Sequence, residues 1–165
     1  MARVLIVGCG CRGGALASAL RADGHAVRGT TRDPRRATEL RADGIEPWVG
    51  DPDRLAGLAL ALDGVTIACW LLGSARGGRD HLADLHGPRL RAFCERVVDT
   101  TVRGLVYEAA GSVPADLLVR GAESAREAAR TWEIPLRTLD ADPARHRQWL
   151  GAAKGAVDGL LDAPR

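Results

Sequence analysis

Three glycines stand at the spacing Gly-x-Gly-x-x-Gly in residues 8–13, directly after the apolar run of residues 4–7. Residues 12–23 then show helical periodicity and end at Asp23-Gly24. In this strand–turn–helix context, the first glycine permits a tight turn and the second lets a diphosphate approach the backbone. The third lets the helix pack closely on the strand. Free N–H groups and the positive helix end would face the anion. The motif therefore predicts a dinucleotide-binding turn made of Gly8, Cys9, Gly10, Cys11, Arg12 and Gly13.

The same turn has other interpretations. A tight strand-to-helix connection that binds nothing would also need glycines. Cys9 and Cys11 invite a metal site, but a Cys-x-Cys pair lacks the spacing of a zinc knuckle, and no second ligand pair is near in the sequence. We expect no metal, and small side chains in a crowded turn explain the pair. A thiol beside a helix N-terminus is also open to oxidation.

Strand-like and helix-like segments alternate along the chain. Strands are expected at residues 4–7, 25–31, 46–49, 65–71, 104–109 and 134–139. Helices are expected at residues 12–23, 34–43, 51–62 and 115–132, and around Trp149 to Leu161. After a glycine-rich loop, a further helix begins at Pro88, with an apolar face made of Leu90, Phe93, Cys94, Val97 and Val98. This alternation predicts an α/β fold: a Rossmann-type, doubly wound, six-stranded parallel sheet with helices on both faces, in three α/β/α layers. We expect one domain over residues 1–165.

The end of the second predicted strand bears on which dinucleotide would bind. NAD-preferring proteins carry an acid there for the ribose hydroxyls. In this chain the position falls on Thr31, and Arg32 follows. A hydroxyl and a guanidinium suit a 2′-phosphate, so NADP is favoured over NAD. Asp33 competes for the acidic role, but its place before Pro34 predicts a helix N-cap.

Composition excludes some classes of partner. The formal net charge is only +2, which gives no basis for binding nucleic acid or an anionic membrane. The longest apolar run, residues 65–72, is too short to span a bilayer. The apolar segment near the N-terminus is too short for a signal peptide, so the four cysteines indicate reduced thiols. We expect a cytoplasmic protein.

The chain resembles the atypical and extended short-chain dehydrogenase/reductases, including the NmrA-like and sugar-nucleotide epimerase-like branches. The match rests on residues 4–13, Gly24-His25, Thr31-Arg32, Gly50-Asp51, residues 65–72 and Leu105-Val106-Tyr107. By this resemblance, Asp51 would contact the adenine. The backbone after the fourth strand would line the cofactor at Trp70, Leu71, Leu72 and Gly73. The resemblance also implies a homodimer through the helices that follow strands four and five. A helix cap is the alternative role for Asp51.

The chain departs from this family in its catalytic residues. The usual enzymes carry a Tyr-x-x-x-Lys pair, whereas this chain has a single tyrosine, Tyr107, and a single lysine, Lys154, far apart. Tyr107 falls inside a predicted strand, where a buried aromatic is expected. Ser112 and His81 are the remaining candidates for proton transfer, although His81 lies in what the sequence predicts to be an ordinary surface loop. The epimerases continue into a C-terminal substrate region, and we expect no counterpart of that region within these residues.

Three functions follow. The first is an NADP(H)-binding module without strong catalysis, either a redox-cofactor sensor or a minimal relative lacking the Tyr/Lys pair. The second is an NAD(P)-dependent oxidoreductase or epimerase-like enzyme that uses another proton donor on a small-molecule substrate. The third is an interaction domain that binds no cofactor.

Overall fold

The central strands are continuous apolar runs because they are covered on both faces. The computed structural model describes residues 1–164. Its strands are β1 (Arg3–Val7), β2 (Ala26–Thr31), β3 (Glu46–Val49), β4 (Ile67–Trp70), β5 (Leu105–Glu108) and β6 (Leu136–Leu139). Its helices are α1 (Cys11–Ala22), α2 (Pro34–Ala42), α3 (Leu55–Leu60), α4 (Arg79–Leu85), α5 (Pro88–Val97), α6 (Ala115–Thr131) and α7 (His146–Leu161).

All six strands pair in parallel in the order β3-β2-β1-β4-β5-β6. Residues 4–7 of β1 alternate between the two faces of the sheet. Leu5 and Val7 pack with residues of α3, α5 and α6, whereas Val4 and Ile6 pack with residues of α1, α2 and α7. The predicted Rossmann fold, with its three layers and six parallel strands, is confirmed.

Three local predictions were wrong. The loop expected before Pro88 contains the short helix α4, so His81 lies on a helix rather than in an irregular segment. The helix expected from Asp51 begins only at Leu55, after a turn. Val98 does not belong to the apolar face of α5. It follows the last residue of that helix and is 45% exposed.

Among residues 1–164, no helix combines the length and the hydropathy that a membrane span requires.

The boundary of the α5 apolar face can be tested on two adjacent valines. Val97 is 1% exposed and lies in the core, whereas Val98 is 45% exposed. Val97→Ala removes buried methyl groups and leaves a cavity, so we expect the free energy of unfolding to fall by about 2 kcal/mol. Val98→Ala should change it by less than about 0.5 kcal/mol. Urea denaturation of the two variants measures both values, and equal losses would contradict the assigned boundary.

Candidate functional site

A cleft opens at the carboxyl ends of the strands, where β1 and β4 lie side by side. From these two strands the chain leaves toward opposite ends of the sheet, which is where ligands bind in open α/β folds. The cleft has two halves, and the residues that line both are Gly8, Gly10, Cys11, Arg12, Leu71, Ser74 and Arg76. The first half, about 490 Å³, extends over β2 and β3, and the second, about 790 Å³, extends toward Glu108, Ser112 and Trp149.

The three motif glycines differ in what a side chain at each position would meet. Gly8 has φ +87°, and a Cβ there would lie 2.5 Å from the carbonyl oxygen of Leu71. A Cβ on Gly13 would lie 3.0 Å from the carbonyl oxygen of Gly8 and 3.2 Å from Ile6, so α1 packs closely on β1. In front of Gly10, by contrast, no atom lies within 4 Å of the Cβ position. The turn is therefore closed behind Gly8 and Gly13 and open toward the cleft at Gly10.

The N-terminus of α1 faces this open space. The N-cap is Gly10, and no side chain caps the helix within the described residues. The first-turn N–H groups of Cys11, Arg12 and Gly13 have no acceptor within the helix itself. They are therefore available to an anion, which the positive end of the helix also favours.

Thr30 and Arg36 hold the turn in place, and the sequence assigned neither to the site. The buried Thr30 hydroxyl accepts a hydrogen bond from the Gly8 N–H at 3.1 Å. Arg36, on α2, donates to the carbonyl of Gly10 at 3.2 Å and pairs with Glu39 at 2.8 Å. The sequence signal for Thr30 was a hydroxyl inside the second predicted strand.

The wall of the first half includes Thr31 and Arg32, at the end of β2, and Arg36 on α2. Thr31 Oγ1 accepts a hydrogen bond from the Asp33 N–H at 3.1 Å. Asp33 Oδ1 accepts from the Arg35 N–H at 2.9 Å and so caps α2, as predicted. The acidic side chain of this segment is thus engaged with the helix, whereas Arg32 is exposed at the wall.

Asp51 also lies on the wall of the first half. Its Oδ1 accepts from the Asp53 N–H at 3.0 Å, which closes a turn of the kind that Asp favours. Since α3 starts only at Leu55, the alternative role of Asp51 as a helix cap is wrong.

The last residue of β4, Trp70, and the three residues after it separate into two groups. Leu71 and Leu72 line the cleft. Trp70 instead packs in the core, with its ring centroid 4.9 Å from that of Phe93. Gly73 is buried, and its N–H donates to Glu108 Oε1 at 2.9 Å.

A buried histidine supports this segment from behind. His86 is 1% exposed, with Nε2 2.9 Å from the carbonyl oxygen of Leu72 and Nδ1 2.7 Å from the Tyr107 hydroxyl. The carbonyl can only accept, so Nε2 carries the proton and Nδ1 accepts from the tyrosine. Burial lowers the pKa of His86 and raises that of Tyr107, so both are held neutral. The pair fixes the backbone at Leu72 and is turned away from the cleft.

A second buried network lies beneath the second half. Glu108 is fully buried at the end of β5, and its Oε2 accepts from the Trp149 indole N–H at 2.8 Å. Burial raises the pKa of Glu108, while the bonds from Trp149 and Gly73 and the charge of Arg12 oppose that rise. The guanidinium carbon of Arg12 lies 5.7 Å from the centroid of the Trp149 ring. The sequence signal for this network is an acid within an apolar strand, and the glycine motif gives no indication of it.

The structure does not bring the candidate proton-transfer groups together. His81 lies on the wall of the first half, with Nδ1 3.5 Å from Asp53 Oδ2, whereas Ser112 lies at the second half. Tyr107 is 1% exposed, as expected of a buried aromatic. Lys154 lies on α7 and pairs with Asp158 of the same helix and with Asp23, which follows α1. It lines neither half of the cleft.

The two cysteines of the turn differ in environment. Cys9 is buried, and burial raises the pKa of its thiol to about 11, which makes it a poor nucleophile. Cys11 is exposed to both halves of the cleft. Within residues 1–164, no group of three His, Cys, Asp or Glu side chains is placed to hold a metal ion.

The geometry of the turn predicts losses of stability of different size at its first two glycines. Gly8→Ala forces a side chain into a left-handed residue and against the Leu71 carbonyl, so we expect about 2 to 3 kcal/mol of lost stability. Gly10→Ala meets open space and should cost less than about 1 kcal/mol as a poorer N-cap. Thermal or urea unfolding of both variants measures the difference. A Gly10→Ala loss as large as that of Gly8→Ala would contradict this description of the turn.

Comparisons with known proteins bear on the fold. No family model matches the sequence, and no curated protein sequence is significantly similar to it. Among solved structures, a short-chain dehydrogenase/reductase superfamily protein from Agrobacterium tumefaciens with bound NAD superposes at a TM-score of 0.68 and 21% identity. The match covers 82% of this chain and 48% of that one.

Two further structures match in the same way. Citrobacter sp. triphenylmethane reductase, complexed with NADP(H), gives a TM-score of 0.64 at 22% identity over 83% of this chain and 48% of its own. UDP-glucuronic acid 4-epimerase from Bacillus cereus, in complex with NAD, gives 0.64 at 13% identity over 82% and 54%. The chain spans about half the length of these structures. It shares the Rossmann fold of short-chain dehydrogenase/reductase and epimerase proteins.

Proposed function

We propose that this protein binds NADP(H) across the turn of residues 8–13. The observation that carries the proposal is the uncapped N-terminus of α1 facing open space at Gly10, while Gly8 and Gly13 are closed by packing. A diphosphate fits such a place, because backbone N–H groups and the helix dipole both favour it. The solved structures with the same fold that hold NAD or NADP(H) support the same ligand class.

The adenosine end would occupy the first half of the cleft. Asp51 lies on its wall at a position suited to the adenine side, and Thr31 and Arg32 lie at the end of β2. A guanidinium grips a 2′-phosphate bidentately. Because Asp33 caps α2, the acid that would favour NAD is engaged elsewhere. NADP(H) is therefore preferred over NAD(H).

The chain is proposed as a module without strong catalysis, either a redox-cofactor sensor or a minimal relative of the reductases. Bound NADPH would supply a hydride, but the chain must supply the proton donor. The hydroxyl of Tyr107 is engaged with His86 in the core, and Lys154 is engaged in surface ion pairs. Neither is placed to act as the Tyr/Lys pair of the enzymes.

A second candidate is an NAD(P)-dependent oxidoreductase or epimerase-like enzyme with another proton donor. The second half of the cleft favours it, because its volume of about 790 Å³ leaves room beside the turn and Ser112 lies on its wall. Turnover of a carbonyl substrate with NADPH, lost in Ser112→Ala, would establish this function in place of the first.

Calorimetric titration with NADPH, NADP, NADH and NAD tests the proposal. We expect NADPH and NADP to bind more tightly than NADH and NAD. Arg32→Gln should weaken NADPH binding about tenfold, equivalent to about 1.4 kcal/mol, and leave NADH binding unchanged. Arg35→Gln is the matched control, since Arg35 is an exposed arginine of the same segment that does not line the cleft.

Two other outcomes of the titrations would argue against the proposal. Equal binding of NADPH and NADH would reject the preference for the 2′-phosphate. No binding of any of the four dinucleotides would leave the turn as architecture alone and favour an interaction domain.

We also propose a homodimer through α5 and α6. These two helices pack on each other. Two apolar side chains nearby are exposed to solvent: Val98, directly after α5, is 45% exposed, and Val119, on α6, is 58% exposed. Val119→Glu would place a charge in such an interface, which costs several kcal/mol when it is left unpaired. Light scattering should show a dimer that becomes a monomer in this variant. A wild-type monomer at high concentration would reject the dimer.

A further inference from the structure

The side chain of Arg12 is held over an aromatic platform in the second half of the cleft. Arg12 lies in the first turn of α1, and its guanidinium carbon is 5.7 Å from the ring centroid of Trp149. A cation at this distance is attracted by the face of an indole. The guanidinium therefore has a preferred position on the wall that includes Ser112.

The platform itself is rigid. Trp149 is fully buried, and its indole N–H donates to Glu108 Oε2 at 2.8 Å. Glu108 is also fully buried, and its Oε1 accepts from the Gly73 N–H at 2.9 Å. The carboxylate of Glu108 thus joins the loop after β4, the end of β5 and the start of α7. Side chains locked in this way are what a preformed binding group requires.

Arg12 has no anionic partner of its own. Arg28, Arg36 and Arg79 each pair with a carboxylate, whereas Arg12 forms no ion pair with any carboxylate in residues 1–164.

The Nε of Arg12 is buried without a hydrogen-bond partner. The Nε of Arg3, Arg28 and Arg103 is in the same condition, but Arg3 forms an ion pair, and Arg28 and Arg103 donate through other nitrogens. The carboxylate of Glu108 is close enough for Arg12 to influence it, yet both of its oxygens are already engaged. An unpaired buried donor costs about 1 to 3 kcal/mol, so its retention calls for an explanation.

Other groups of the second half complement Arg12. Arg76 and the hydroxyl groups of Ser74 and Ser112 lie on the same wall. The acid Asp142 is also there, but its Oδ1 accepts from the Ala144 N–H at 2.9 Å and caps the loop before α7. A ligand oxyanion would therefore meet two guanidinium groups and two hydroxyl donors.

We propose that the second half of the cleft binds a small molecule through a carboxylate or phosphate group, and that Arg12 is the residue that grips this group. The inference deepens the proposed function and rests on it in one respect, namely that the first half and the turn take the dinucleotide. The small molecule is then the substrate or effector that lies beside the redox-active end of the cofactor. The diphosphate of the dinucleotide itself is the other source of an oxyanion for Arg12.

Nuclear magnetic resonance of the tryptophan indole N–H groups tests this assignment. The chain has four tryptophans, and Trp149→Phe identifies the signal of Trp149. The protein, saturated with NADPH, is titrated with inorganic phosphate and with succinate at constant ionic strength. We expect a saturable shift of the Trp149 signal, because an anion on Arg12 alters the field at the indole beneath it.

The variants separate Arg12 from general charge effects. Arg12→Gln should weaken the titration at least tenfold, and Arg76→Gln should weaken it to a smaller extent. Arg147→Gln, an exposed arginine of α7 that lines neither half, should leave it unchanged. Arg12→Lys keeps the charge and serves in place of Arg12→Gln if that variant does not fold. It should still weaken binding, because it loses the bidentate geometry.

The outcomes distinguish this inference from the proposed function. If no dinucleotide binds but phosphate shifts Trp149 in an Arg12-dependent way, the anion site at Arg12 holds, whereas its place beside a cofactor and the NADP(H) proposal fail. If NADPH alone shifts Trp149 through Arg12 and neither probe then has an effect, Arg12 serves the diphosphate and the inference is overturned. Equal titrations in Arg12→Gln and Arg147→Gln would overturn it as well.

Discussion

The carbonyl group of Leu71 occupies the space that a side chain at position 8 would need, and it lies 2.5 Å from the Cβ position of Gly8. This approach is possible only because Gly8 is a glycine with φ +87°. It brings the turn after β1 against the chain that leaves β4, at the point where the crossovers diverge. The Thr30 hydroxyl and Arg36 then hold the turn from the side of β2 and α2. The open N-terminus of α1 and the two halves of the cleft are positioned by this one contact.

Charge is distributed unevenly around this contact. Arg36 is engaged with the turn carbonyl of Gly10 and with Glu39, so it stabilises the protein's own backbone. Arg32 is exposed in the first half of the cleft, whereas Arg12, which lines both halves, lies on Trp149 in the second. Arg32 and Arg12 therefore face different parts of an elongated ligand or two ligands side by side. Arginine suits both places because its planar group binds oxyanions and stacks on aromatic rings.

The glycine turn and the strand–helix alternation could be predicted because they depend on local sequence. Gly13, the N-cap Asp33 and the left-handed φ of Gly8 depend on backbone geometry within a few residues. The short helix α4 could not be predicted in this way, since seven residues carry little periodicity and its packing decides its form. The pairing of Glu108 with Trp149 joins residues 41 positions apart, and no local pattern encodes such a contact. Long-range polar contacts of this kind determine the second half of the cleft, which is why the sequence located the turn but missed that network.

The most direct test of the account is to follow the backbone N–H signals of Cys11, Arg12 and Gly13 by nuclear magnetic resonance while NADPH is added. The account predicts that these three signals move most and move downfield, as expected when an anion accepts hydrogen bonds from the first turn of α1. Binding that leaves them unmoved, or no binding, would contradict the claim that this turn holds the diphosphate.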